Sequence, residues 1–97
     1  MFRMKIYKVR GEILVAVCDS ELVGKTFEDG DIKIEISEKF YGTENFEENE
    51  VKKALKQATI ANISGKRAIK IAIDLGLVDE DKILKIGKCW HAQIVTL

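Results

Sequence analysis

Residues 13–18 read Ile-Leu-Val-Ala-Val-Cys, an almost unbroken run of β-branched and apolar side chains. A strand with one wetted face alternates; a run that does not alternate has no polar face to offer water, and is read as a central, buried strand. Phe2 to Val9 does alternate, and Arg10-Gly11-Glu12 supplies a turn, so the chain is expected to open as a hairpin with its second strand inside a sheet. Asp19-Ser20-Glu21-Leu22-Val23-Gly24 then ends that strand, with Asp and Ser suited to capping a short helical turn and Gly24 able to take a positive φ. From Asp31 to Ser37 the alternation is strict, Ile32, Ile34 and Ile36 on one face and Lys33 and Glu35 on the other, which predicts a half-solvated strand.

A polar, Glu-rich connection follows Phe40-Tyr41-Gly42, and a helix is predicted from Glu47 to about Asn62, with Val51, Ala54, Leu55, Ala58 and Ala61 on one face. Glu47, Glu48 and Glu50 complement the dipole of its first turn. Ile63-Ser64-Gly65 breaks this helix, and a second runs from Lys66 to Leu75 until Gly76 stops it. Asp79 to Lys82 suits one more helical turn, and Ile83–Ile86 and Trp90–Leu97 are short strand candidates. The order ββ(β)–αα–β predicts an α+β fold: a small mixed or mostly antiparallel sheet with two main helices packed on one face.

Size and composition fit that plan. Ninety-seven residues, 46% hydrophobic and 33% charged, make one domain, residues 1–97. Folding at this length buries about 60–68% of the unfolded surface, enough for a core without disulfides or zinc. Cys18 and Cys89 are accordingly read as free thiols. Sixteen basic and sixteen acidic residues cancel, so any attachment to nucleic acid or anionic lipid has to come from a local patch. No stretch approaches a membrane span and the N-terminus lacks a signal-peptide apolar block, so a cytoplasmic location is expected.

Five blocks, Ala16-Val17-Cys18-Asp19, Glu21-Leu22-Val23-Gly24-Lys25-Thr26-Phe27, Phe40-Tyr41-Gly42, Ala58-Thr59-Ile60-Ala61-Asn62-Ile63-Ser64-Gly65 and His91-Ala92-Gln93, resemble in order the archaeal family called domain of unknown function 424. The resemblance spans nearly the whole chain and implies an archaeal cytosolic protein of single-domain size, with no established activity to bring with it. Cys89 and Trp90 lie outside its pattern.

Three chemistries are open to these residues. Cys18 and Asp19 at the end of a central strand, with the one histidine, His91, are the parts of a thiol nucleophile and base for a small enzyme or small-ligand site. The bland reading makes Cys18 a core residue and His91 a structural hydrogen-bonding group, and catalysis is not the favoured expectation. Metal-ligand spacing is missing beyond Cys89-x-His91, and neither standard phosphate-cradling glycine loop occurs, so no metal or cofactor is expected.

Charge segregation points elsewhere. Residues 28–50 carry nine acids against two lysines, whereas 52–70 hold Lys52, Lys53, Lys56, Lys66, Arg67 and Lys70 and no acid. The helix–break–helix around Asn62 would offer amide N–H groups at the second helix start, with Lys66 and Arg67 beside them, to a phosphate. Lys82, Lys85 and Lys88 extend that face if the last strands return beside the helices. The expected function is a non-catalytic binding module in an RNA-containing or translation-related assembly. A protein–protein adaptor using an exposed strand or the acidic 28–50 segment is the third reading.

Overall fold

The computed structural model describes residues 1–96. Its main sheet has six strands, in the order β5 (Asn45–Phe46), β1 (Phe2–Val9), β2 (Glu12–Asp19), β6 (Ile60–Ser64), β8 (Cys89–Val95) and β7 (Leu84–Ile86). β1 (Phe2–Val9) and β2 (Glu12–Asp19) form the expected hairpin, in register from Phe2 opposite Asp19 to Val9 opposite Glu12. Its two-residue turn puts Arg10 at φ 51° and Gly11 at φ 82°, the mirror-image turn whose twist matches the strands it joins. β2 is central, and Val15, Ala16, Val17 and Cys18 are all wholly buried.

Both sheet faces are covered, which is what an apolar β2 requires. On one side lie α2 (Glu48–Gln57) and α3 (Lys66–Asp74), whose Val51, Leu55, Ala68, Ile69 and Ala72 pack on Phe2, Met4, Val15, Val17 and Ile63. Each fully buried Val, Leu or Ile side chain here contributes roughly 1.5–3 kcal/mol. On the other side a separate hairpin, β3 (Thr26–Asp29) with β4 (Ile32–Glu35), and the single-turn α1 (Glu38–Tyr41) seat Ile36 and Tyr41 against Ala16, Cys18 and Cys89. The strand expected over 31–37 is thus β4, and Ile36 beyond its end is the side chain it delivers to the core. β3 is not legible in the sequence, because Thr-Phe-Glu-Asp carries one apolar residue, too short a pattern to read.

The predicted first helix needs correction. α2 ends at Gln57, and residues Ile60–Ser64 form β6, parallel to β2 from Leu14 opposite Ile60 to Cys18 opposite Ser64. Thr59 fixes the switch: its hydroxyl donates to the Ile13 carbonyl (3.1 Å) and accepts from the Ile13 N–H (2.8 Å), locking the chain into the sheet. Ala58 and Ala61 continue the helical stripe numerically, but Ala61 and Ile63 also satisfy a period of two, and β2 needed a second neighbour. There is therefore no helix–break–helix; the order is helix, strand, helix. After α3, β7 (Leu84–Ile86) and β8 (Cys89–Val95) return, β8 antiparallel to β6. β5 (Asn45–Phe46) covers only the Phe2–Arg3 end of β1. The strand expected to reach Leu97 is β8, with Leu97 outside the described residues. The radius of gyration is 12.4 Å, against about 13 Å for a single domain of this length. No helix among the described residues is long and apolar enough to cross a membrane.

Candidate functional site

β2 and β6 run parallel and end together, at the start of α3. Side chains alternate across a strand, so consecutive residues at these ends serve opposite faces. Asp19 turns to the helices. Its carboxylate accepts the Arg67 N–H at 3.2 Å and the Ala68 N–H at 2.8 Å, the second and third amides of α3 after the cap residue Gly65. Gly65 sits at φ 106°, and a Cβ there would overlap the Asp19 carboxyl, so the glycine serves both the turn and the approach.

Arg67 closes this cluster from outside. Its guanidinium bonds the Glu21 carboxylate, donates to the Met1 carbonyl at 3.2 Å, lies 3.9 Å from Asp19 and covers the Phe2 ring at 4.9 Å. Burial raises the Asp19 carboxyl above its ordinary range, by more than the two amides and Arg67 pull it down. For Glu21 slight burial pushes the same way, but its own N–H and Arg67 outweigh that and leave it lowered. The α3 N-terminus, offered by the sequence as a phosphate site, is thus occupied by a carboxylate of the same chain. Arg67 is committed beside it and is no free phosphate ligand.

Cys18 and Ser64 turn to the opposite face. The Ser64 hydroxyl links the Tyr41 hydroxyl (2.9 Å) and His91 Nδ1 (2.8 Å) in a buried chain. Ser64 lies in register between Cys18 and His91, which places those two residues two strand spacings, about 10 Å, apart. His91 is therefore engaged with Ser64 and does not meet Cys18 as a base. Burial, with a contribution from the Asp19 charge, pushes the Cys18 thiol up to about 12, and burial likewise takes Tyr41 to about 12. Cys89 is raised and His91 lowered for the same first reason. Cys18, Asp19 and His91 are brought to one end of the sheet but not into one site: Asp19 serves the helix face, and the thiol is protonated and covered. Both cysteines are free, and among the described residues no three His, Cys, Asp or Glu side chains converge as metal ligands.

The remaining cations lie in several places. Lys52 pairs with Glu48 at 3.0 Å, one turn back, whereas Lys53 and Lys56 project from α2 into solvent. Lys70 lies with Arg67, Glu47, Glu48 and Asp74 along a cleft of about 470 Å³. Asn62 lies within β6 between Ala16 and Gln93, so it caps no helix. Trp90, which belongs to no sequence motif, gathers two cations: Lys66 Nζ stands 5.1 Å and Lys85 Nζ 4.9 Å from its ring centroid. Gly87, at φ 61°, turns β7 back so that Lys85 faces Trp90, while α3 brings Lys66 from above. No spacing in the sequence joins Lys66, Lys85 and Trp90; the cluster depends on that turn and on α3.

The family model described as a protein of unknown function, DUF424, matches residues 7–97. The chain belongs to the DUF424 family. A crystal structure of an uncharacterized conserved protein from Methanopyrus kandleri is similar in fold to this DUF424 chain, with a TM-score of 0.78 at 24% identity, over 99% of this chain and 93% of that one. No curated protein matches the DUF424 chain. The fold and the family are thereby fixed, and the site has to be read from its own chemistry.

Proposed function

We propose that this is a cytoplasmic, archaeal-type, non-catalytic binding module for single-stranded RNA, acting within an RNA-containing or translation-related assembly. The observation that carries this reading is Trp90 with Lys66 and Lys85 over its ring. An indole is a stacking surface for any base, and flanking ammonium groups are phosphate ligands within reach of the same nucleotide. Lys66 and Lys85 are exposed, so swinging from ring to phosphate costs little order. Lys53, Lys56 and Lys70, exposed on the two helices, are the further cations this reading calls on, Lys70 from a cleft it shares with Glu47, Glu48 and Asp74. This keeps the basic surface expected from residues 52–70 but moves its centre from the Asn62 junction to Trp90.

Trp90 is the one tryptophan in the chain, so its fluorescence is a direct probe. Titration with a ten-nucleotide single-stranded RNA is expected to quench it saturably. With four phosphates engaged, log affinity should fall against log salt at a slope of about −2.8, and Lys66→Ala or Lys85→Ala should each reduce the slope by about 0.7. Trp90→Phe should retain binding and Trp90→Ala should weaken it by about 1–3 kcal/mol. An unchanged fluorescence, or a slope independent of both lysines, would sink the reading.

A further inference from the structure

The main sheet ends on β1, and β5 covers that edge only at Phe2 and Arg3. Beyond Met4, which touches Gly42, the edge is open. The two-residue turn makes Val9 and Glu12 the bonded pair that closes the hairpin, so β1 bonds β2 through alternate residues and turns the N–H and C=O groups of Ile6 and Lys8 outward. They are spaced about 6.8 Å apart, the repeat of an antiparallel partner strand. Grooves line the same edge. One of about 530 Å³ runs beside Lys5, Ile6, Thr43 and Phe46, and a smaller one of about 260 Å³ lies between Tyr7, Lys39 and Phe40; inward from the edge an apolar shelf of about 410 Å³ crosses the sheet face over Tyr7, Leu14 and Ile60. Ile6 and Val9 are 46% and 61% exposed.

Charge selects the occupant. Among the described residues Lys5, Lys8, Arg10 and Lys39 make no ion pair, while Glu12 is the acid nearest the turn; Glu38 is held by Arg3, and Glu44 lies at the β5 end. A second copy pairing β1 with β1 would oppose two such sets of cations. Nucleic acid meets the charge but not the alternating ladder of amide donors and acceptors. We propose that the β1 edge captures an extended, acid-rich peptide segment of a partner protein by strand addition, its apolar side chains seated beside Ile6 and Phe40 and its acids toward Lys8, Arg10 and Lys39. This surface is separate from the Trp90 face.

The test is to pan a random twelve-residue peptide library against the full chain and synthesise the enriched peptides. Acid-rich peptides that also carry apolar residues are expected, and their binding is expected to protect the Ile6 and Lys8 amides from exchange. Ile6→Pro removes an outward N–H without breaking the β1–β2 ladder and should weaken binding at least tenfold. Should that variant not fold, Lys8→Glu with Lys39→Glu, both at the surface, should give a comparable loss. The proposal is overturned by a library that yields no enrichment or only neutral or basic peptides, and equally by binding that the charge reversals leave unchanged. Displacement of the peptide from this edge by a ten-nucleotide RNA at equal affinity, or self-association through β1 in sedimentation, would also overturn it.

Discussion

Cys18 and Asp19 are neighbours in sequence, as are Ser64 and Gly65, yet the two sides of the sheet at this point meet the same burial with different partners. On the helix side two amides of α3 and Arg67, itself held by Glu21, oppose the rise that burial imposes on the Asp19 carboxyl. On the hairpin side Cys18, Tyr41, Ser64 and His91 form a covered cluster in which burial favours the neutral form of each titrating group. A carboxylate is tolerated where helix amides and a guanidinium at the rim meet it; a few ångströms away, without such partners, hydroxyls and thiols take its place. The contrast explains why a cysteine, an aspartate and a histidine gathered at one sheet end make no catalytic set.

The comparison can be broken from either side. Asp19→Ala is expected to have the largest effect, about 3–5 kcal/mol, because it strands two amides at the α3 start and takes from Arg67 the buried one of its two carboxylates; urea denaturation measures it. Gly65→Ala should cost about 3 kcal/mol from the crowding against Asp19 and the unfavourable φ. Combining the two should be markedly less than additive, since removing the Asp19 carboxyl relieves the crowding, and an additive double variant would mean the contact is not the cause. Ser64→Ala, on the neutral side, leaves the Tyr41 hydroxyl and His91 Nδ1 short of a partner and should cost about 2 kcal/mol.

The smallest effect is a pH dependence. His91 is lowered by burial, so the unfolded chain takes up its proton first as pH falls; the native state therefore has the full His91 contribution above about pH 6.5 and loses it below. Unfolding midpoints measured from pH 7.5 to 5 should decline more in the natural chain than in His91→Gln. Equal slopes would remove His91 from the account.

Much of this architecture is legible in the residues. The 13–18 run demands a central strand, Arg10-Gly11 a tight turn, and Gly76 a helix stop, because each rests on contacts or torsions set within a few residues. The capping box of α2, Glu47 with Glu50, is equally local. What escapes is what depends on distant partners. Residues 58–64 satisfy two periodicities at once, and only the need of β2 for a second neighbour decides for a strand. Asp19 is readable as a cap for the turn that follows it, yet it caps a helix 46 residues further on, between Asp19 and Gly65. Trp90 acquires its lysines through one turn and one helix that no spacing rule connects.

The parallel pairing of β2 with β6 also orders events in time. The β1–β2 hairpin closes within the first nineteen residues, whereas its other neighbour is not available until residues 60–64 have been made. While the chain is emerging from the ribosome, β2 is a bare apolar strand with one unpaired edge, the state most exposed to sticking. Folding waits on the roughly forty residues between β2 and β6, whose closure has to come before the parallel pairing can repay it. A nascent chain arrested before residue 60 is the form that most needs a chaperone.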